Sequence, residues 1–424
     1  MLTLQYLRNH KNEAVERLKI KNFDAETLIN EILELDQYRR SIQTENDGKL
    51  SLLNKTSKEI GRLFRTGKKD EAEAGRRQVG TLKDEIKQLQ QELLETEDKI
   101  HDLLIRIPNV PHPDVPEGKG AEDNREIRRG GDLPSLHGNS LPHWELGTRY
   151  GILDFELGNT LTGAGFPVFM GKGARLVRAL ITFFLDEAEK AGYYEIIPPL
   201  MVNEASAYAT GQLPDKEGQM YTIPSENFYL IPTAEVPVTN LYRDQILEET
   251  KLPVKATAYT PCFRREAGSY GKDVRGLNRV HQFDKVEIVR IEKPENSYAA
   301  LEEMINHVES LVRKLELPYR IVKLCGGDIS FTSALTYDFE VFAAAQKKWL
   351  EVSSVSNFGS YQANRLKLRF RDNNSRKTRL AHTLNGSALA LPRIIAALLE
   401  NKQTEKGIRI PEVLIPYTGF AIID

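Results

Sequence analysis

The stretch from about 26 to 104 constrains the fold more than any other, because it contains no proline and is rich in Glu, Lys, Gln and Leu. Val79, Leu82, Ile86, Leu89, Leu93, Thr96, Ile100 and Leu103 follow one another in alternating steps of three and four. That spacing places them on one stripe of a helix, the seam of a coiled coil. Leu28, Ile32, Leu35, Ile42, Leu53, Ile60 and Leu63 keep the register more loosely, interrupted by Arg39, Asn46 and Lys49. RTGKKDEAEAG, residues 65–75, separates the halves and supplies a turn. Two helices of about 35 residues, at about 1.5 Å per residue, form an antiparallel hairpin roughly 50 Å long. Such a hairpin is too thin to hide inside a globule and is expected to project.

Arg62, Arg65, Lys68, Lys69, Arg76 and Arg77 cluster near the turn, opposed by Asp70, Glu71 and Glu73. A basic tip on a projecting rod suits a phosphate backbone. Heptads alone equally suit a dimerisation rod or a spacer, and charge on a helix is ordinarily a solvated face.

The remaining chain differs in character. Residues 107–147 are rich in proline and glycine and read as a linker. From 148 to 424, many short strand-like runs accompany few helices: 172–192, 297–316 and 387–400. Strands greatly outnumber crossover helices, which predicts an α+β domain built on a mostly antiparallel sheet flanked by helices. The three parts are thus 1–106, 107–147 and 148–424. Formal net charge is −2, with 58 basic and 60 acidic residues. Any nucleic-acid site must therefore come from local patches. Cys262 and Cys325 stand far apart. They argue against a disulfide framework or a cysteine zinc site and suit a reducing cytoplasm. The start of the chain has the character of neither a signal nor a transit peptide, and no run of about 18 apolar residues exists to span a membrane.

One segment puts charge where a core belongs. Thr260–Glu287 reads as two strands around a basic, glycine-rich loop. Alternate strand residues share a face. Arg264 and Glu266 therefore point together, as do Phe283, Lys285 and Glu287, while Val286 and Ile288 point away. If the strands pair, one face carries two carboxylates, two cations and an aromatic ring. That is a cradle for a ligand with phosphates, a planar base and an ammonium group.

FRREAGSYGKDVRGLNRVHQFDKVE resembles motif 2 of the class II aminoacyl-tRNA synthetases, in the form typical of the seryl-tRNA synthetases. The helical hairpin, PNVPHPDVPEG, IPTAE and IRIPEVLIPYTGF match the family in order, so the resemblance spans essentially the whole chain. It implies a class II catalytic domain behind a tRNA-binding hairpin. It also implies ATP-dependent activation of L-serine and its transfer to tRNA(Ser), with the selenocysteine tRNA left open. By resemblance, Arg264 holds the α-phosphate of ATP and reaches serine. Arg265, Glu266 and Val280 line the ATP site, Arg279 touches the ATP phosphates or the acceptor end of tRNA, Phe283 stacks on adenine and Glu287 contacts serine. Thr233, Ala234 and Glu235 form the serine-binding segment, although a threonine before a proline-started helix is also an ordinary N-cap.

Glu351, Val352, Ser353 and Ser354 are likewise implied in ATP binding, with Glu351 and Ser354 holding Mg2+ on the ATP phosphates. The segment from His382 to Arg393 resembles motif 3. It implies Asn385 and Ser387 at the serine pocket and Arg393 on the adenine, opposite Phe283. Ser387 can alternatively cap the helix expected from 387. Ala388 and Leu391–Pro392 depart from the commoner family form. A proline inside that helix, at about 3 kcal/mol, is expected to distort its first two turns. The 172–192 helix with Pro198–Pro199 resembles motif 1 and implies a homodimer. A carrier-protein activator lacking the arm, a non-catalytic RNA-binding scaffold and an enzyme for another amino acid such as threonine are the rival readings. The hairpin opposes the first; Arg264, Glu266, Glu351 and Arg393 oppose the second.

Overall fold

The computed structural model describes residues 1–138, 140–215, 218–265, 275–373, 375 and 377–424. The chain divides into two compact units, one of residues 1–19 and 23–108, the other of 20–22 and 109–424.

In the first unit, α1 (Glu26–Arg65) and α2 (Lys69–Leu104) pack against each other as a hairpin. Many heptad positions are buried, Leu82, Ile86, Thr96 and Ile100 of α2 and Ile32 and Ile42 of α1, whereas at the start of α1 it is Ile29 and not Leu28 that is buried. Only Thr66–Lys68 leave the helical conformation. The turn is thus shorter than the 65–75 segment suggests, because Lys69, Asp70 and Glu71 start α2 directly, with acidic residues in its first turn. Of the polar interruptions Arg39 and Lys49 are paired, while Asn46 is buried with its Oδ1 unpartnered among the described residues. Asp36 is fully buried in the seam and held by Arg8 at 2.9 Å, Arg39 at 3.1 Å and Arg40 at 3.3 Å. Lys49 crosses to Glu85 at 2.8 Å.

The second unit is built on an eight-stranded sheet. Its strands are β1 (Arg125–Gly130), β2 (Tyr194–Glu195), β3 (Val254–Phe263), β4 (Gln282–Glu292), β5 (Tyr319–Lys323), β6 (Leu335–Ala343), β7 (Lys348–Asn357) and β8 (His382–Ala390), in the order β1-β5-β6-β7-β8-β4-β3-β2. Every neighbouring pair is antiparallel except β2–β3. β1, from the proline- and glycine-rich stretch, forms one edge.

Period-two alternation divides the faces. Val286 and Ile288 of β4 join a large apolar core with α3 (Gly171–Lys190), α5 (Ser297–Lys314) and α7 (Leu391–Asn401). Val289 lies on the other face, in a small cluster with Ala256, Ala258, Ala234 and Val238. The latter two flank and belong to the short helix α4 (Glu235–Asn240), which roofs this face together with α6 (Tyr361–Leu366). No helix among the described residues is long and apolar enough to cross a membrane.

The end of β8 corrects one expectation. The strand runs on through Ala390, and α7 starts only at Leu391. Pro392 therefore sits in the first helical turn, where its missing N–H has no intrahelical acceptor to lose. The predicted distortion does not arise. Ser387 lies inside the strand, opposite Glu287, and caps nothing. Ala388, Leu389 and Leu391 are buried in the core.

Candidate functional site

β3 and β4 pair from Val254↔Ile291 to Phe263↔Gln282, and Arg264 N continues the ladder by donating to His281 O at 2.9 Å. That register puts Arg264, Phe283, Lys285 and Glu287 on one face, as the sequence pattern requires. The Arg264 guanidinium lies over the Phe283 ring at 5.3 Å, and its Nε donates to Pro232 O at 3.3 Å. Glu266 lies outside the described residues. Arg265 is exposed and donates its backbone N–H to Gln219 O. Arg279 is exposed, and Val280 is buried.

Deeper in the same face, a chain of polar groups, all buried except the half-buried Asn385, runs across four elements. Lys285 Nζ meets Glu287 Oε2 at 2.5 Å, with side chains 5% and 1% exposed. Thr233 Oγ1 accepts from Lys285 at 2.9 Å and donates to Glu287 at 3.0 Å. It also accepts from Glu235 N at 3.2 Å, although the residue that precedes the helix as its N-cap is Ala234 and not Thr233. Asn385 Nδ2 donates to both Glu287 Oε1 at 2.9 Å and Glu235 Oε2 at 3.0 Å. Gln362 Nε2 holds the remaining Glu235 oxygen at 2.6 Å. Burial pushes the Glu235 carboxyl up to about 7; the Gln362 hydrogen bond opposes this and the Glu287 charge adds to it. Ala234 is buried behind the chain. Thr233, Glu235, Lys285, Glu287 and Gln362 are thus buried at the level of α4 and α6, while Arg265 and Arg279 stay exposed. Ser387, 8% exposed, completes this wall beside Glu287.

A second group lies on β6, β7 and the start of α7. The β6–β7 register slips between Phe339↔Ser353 and Glu340↔Glu351, leaving Val352 as the extra residue of a bulge. Residues three apart do not normally share a strand face. Across this bulge they do, so Glu351 and Ser354 face the same way as their partners Glu340 and Asp338. Val352 itself turns into the core, 1% exposed, and Ser353 Oγ donates to Ser387 O at 2.6 Å. Arg393 leaves the first turn of α7 and donates to Asn278 O at 2.9 Å and Glu351 O at 2.8 Å, with the Glu351 carboxylate at 3.5 Å. Asp338 Oδ1 is buried without a hydrogen-bond partner among the described residues. Burial and the Glu351 charge push this carboxyl well above the usual range, against the pull of Ser354.

Sequence reasoning did not find Asp338 or Gln362. A Tyr-Asp-Phe-Glu strand reads as ordinary alternation, and nothing local marks a helical glutamine as buried. It placed Lys285 on the right face but did not foresee its pairing with Glu287. A cavity of about 190 Å³ opens at the start of β4 beside Phe283, but its lining contains none of Glu235, Glu287 and Glu351. The polar site lies outside it. At the hairpin tip, all six basic residues are exposed. Arg62 and Lys68 pair with Glu59 and Glu71, and Arg76 lies over Phe64 at 4.6 Å.

Residues 1–111 match the family model of the seryl-tRNA synthetase N-terminal domain. Residues 221–402 match that of the class II tRNA synthetase core domain of the G, H, P, S and T type. A serine–tRNA ligase of Salinibacter ruber is 50% identical over 100% of this chain and 99% of its own. The crystal structure of a Pyrococcus horikoshii seryl-tRNA synthetase complexed with ATP superposes with a TM-score of 0.92. It shares 36% identity and covers 100% of this chain and 99% of that one. A cytoplasmic serine–tRNA ligase of Naegleria fowleri in complex with AMP has a TM-score of 0.87 at 26% identity, over 100% and 99% of the two chains.

Proposed function

The chain belongs to the seryl-tRNA synthetase family, and on that premise we infer that it activates L-serine with ATP and transfers the seryl group to tRNA(Ser). One observation carries the reading. Two buried carboxylates, Glu235 and Glu287, share a single Asn385 amide, and among the described residues only Glu287 has a lysine in contact. A buried carboxylate without a paired cation is costly. The ammonium group of an amino acid supplies that cation. Thr233, Ala234, Glu235, Glu287, Asn385 and Ser387 form the serine pocket, with Arg264 at its mouth.

ATP lies along the outer part of the same face. Phe283 offers a ring for adenine, and the Pyrococcus relative was crystallised with ATP. A base on the ring face now covered by Arg264 requires that guanidinium to swing off toward the α-phosphate. Arg265, Glu266, Arg279, Val280, Glu351, Val352, Ser353 and Ser354 complete the nucleotide site. Two backbone carbonyls fix the Arg393 guanidinium before any ligand arrives. Such fixed charges stabilise a transition state without reorganising.

In the first step a serine carboxylate oxygen bonds to the α-phosphorus, the bond to the pyrophosphate oxygen breaks, and pyrophosphate leaves. In the second, the terminal ribose hydroxyl of tRNA attacks the seryl carbonyl and AMP leaves. Neither step uses a protein nucleophile; positioning and charge neutralisation by Arg264 and Arg393 suffice.

Among the described residues no cluster of three His, Cys, Asp or Glu side chains is placed to hold a metal. Magnesium keeps several of its waters and needs few protein oxygens. The half-exposed Glu351 carboxylate, the Ser354 hydroxyl brought beside it by the bulge, and the orphaned Asp338 Oδ1 fit such an ion. Glu351 and Ser354 would hold it. Bound there with ATP, Mg2+ supplies neutralising charge to the phosphates.

The hairpin grips tRNA through Arg62, Arg65, Lys68, Lys69, Arg76 and Arg77. The second unit forms a homodimer: at the β2 edge of the sheet, just after the motif 1-like α3, Tyr194 and Ile197 are 76% and 88% exposed, and a partner copy would cover them. Sedimentation as a monomer would contradict this. A cytoplasmic location belongs to the same reading, since Cys262 and Cys325 are both free thiols. Charging of tRNA(Ser) with labelled serine in the presence of ATP and magnesium tests the function; no seryl-tRNA formed would contradict it.

A further inference from the structure

We infer that Gln362 is a positioning residue for amino-acid recognition: it fixes the Glu235 carboxylate and thereby sets the affinity for the serine ammonium group. The inference rests on the reading of Glu235 as a serine contact.

Gln362 lies on α6, 1% exposed, and both ends of its amide are committed. Nε2 donates to Glu235 Oε1 at 2.6 Å and to Thr210 O at 3.1 Å. Oε1 accepts from Thr383 Oγ1 at 2.7 Å. These partners decide which end is which. A flipped amide would set its oxygen against the Glu235 carboxylate and the Thr210 carbonyl at once.

The chemistry of the donor is the second half of the argument. Glu235 is held on both oxygens by neutral amides, Gln362 and Asn385. Lys285, the lysine of the pocket, is in contact with Glu287 instead. A neutral donor orients a carboxylate without cancelling its charge. Lysine or arginine in place of Gln362 would satisfy Glu235 and remove its appetite for a cation. An apolar residue would leave it to rotate and to pick up a proton. Glutamine does neither. The support beneath it is built from further contacts: the guanidinium of Arg365, one turn along α6, lies over the rings of Tyr208 and Tyr361 at 4.8 and 5.2 Å. It also donates to Tyr208 O at 3.0 Å and Leu213 O at 3.2 Å. α6 is thereby tied to the 208–213 segment.

Gln362→Met keeps the volume and removes the amide. In ATP–pyrophosphate exchange, the serine KM is expected to rise about 10- to 100-fold, the loss of one hydrogen bond to a charged group. The ATP KM and kcat are expected to hold. An unchanged serine KM overturns the inference. So does a parallel rise in both KM values, which is what general loosening of the domain gives. Should this variant not fold, Thr383→Val removes only the bond that orients the amide. The same split at smaller size is expected, and an unmoved serine KM overturns the inference. Wild-type protein measured alongside separates the two failures. No serine-dependent exchange in the wild type defeats the reading of the site and the inference with it. Normal wild-type exchange with an unmoved variant defeats the inference alone.

Discussion

Lys285 and Glu287, two positions apart on β4, form an ion pair at 2.5 Å that is almost wholly withdrawn from water. Both side chains stay on the ligand face of the sheet, yet α4 and the Thr233 hydroxyl close over them. Removing one partner leaves the other buried and unpaired. Lys285→Met is expected to lower unfolding free energy by about 3–5 kcal/mol. Urea denaturation at neutral pH checks this; a loss below 1 kcal/mol, about the ceiling for exposed pairs, would mean the pair is effectively solvated.

Glu235 gives the site a pH dependence. Burial raises its carboxyl to about 7, so the group takes up a proton as pH falls through neutrality. The protonated form cannot pair with an ammonium ion. The serine KM should therefore rise as pH drops from about 8 to 6, while the ATP KM changes less. Exchange kinetics at fixed ionic strength read this directly, and a flat serine profile would place the titration elsewhere.

Arg393 is held by the carbonyls of Asn278 and Glu351, an arrangement that aims a charge in advance. Arg393→Ala is expected to reduce the rate of adenylate formation by about 10²- to 10³-fold. Single-turnover measurement of pyrophosphate release checks it. A near-normal rate would remove Arg393 from the catalytic set.

The hairpin tip should act through phosphates alone. Substituting Arg65, Lys69, Arg76 and Arg77 by alanine is expected to weaken tRNA binding and leave serine-dependent exchange untouched. Each lost phosphate contact should reduce the slope of log affinity against log salt by about one. An unchanged slope would return the arm to the role of a spacer.

Much of this was legible in the sequence, for physical reasons. Heptad spacing predicts the hairpin because a seam is a local, periodic signal. Parity along β3 and β4 predicts which side chains share a face, because a strand has no choice of period. What failed to show depends on contacts between distant segments. The bulge at Val352, which brings Glu351 and Ser354 together, is a property of two strands and not of one. The start of α7 at Leu391 depends on β8 continuing to pair with β4, across a register shift between Glu287↔Ser387 and Lys285↔Ala390. Pro392, read as a helix interior, is a helix start. The burial of Lys285 and Glu287 and the role of Gln362 both require the roof of α4 and α6, whose sequences alone do not say what they cover.

Pyrophosphate exchange surveyed across all twenty amino acids is the most direct test that this face is a serine and ATP site. Serine is expected to support exchange far above every other amino acid, with magnesium required. Exchange supported by a different amino acid, or by none, would contradict it.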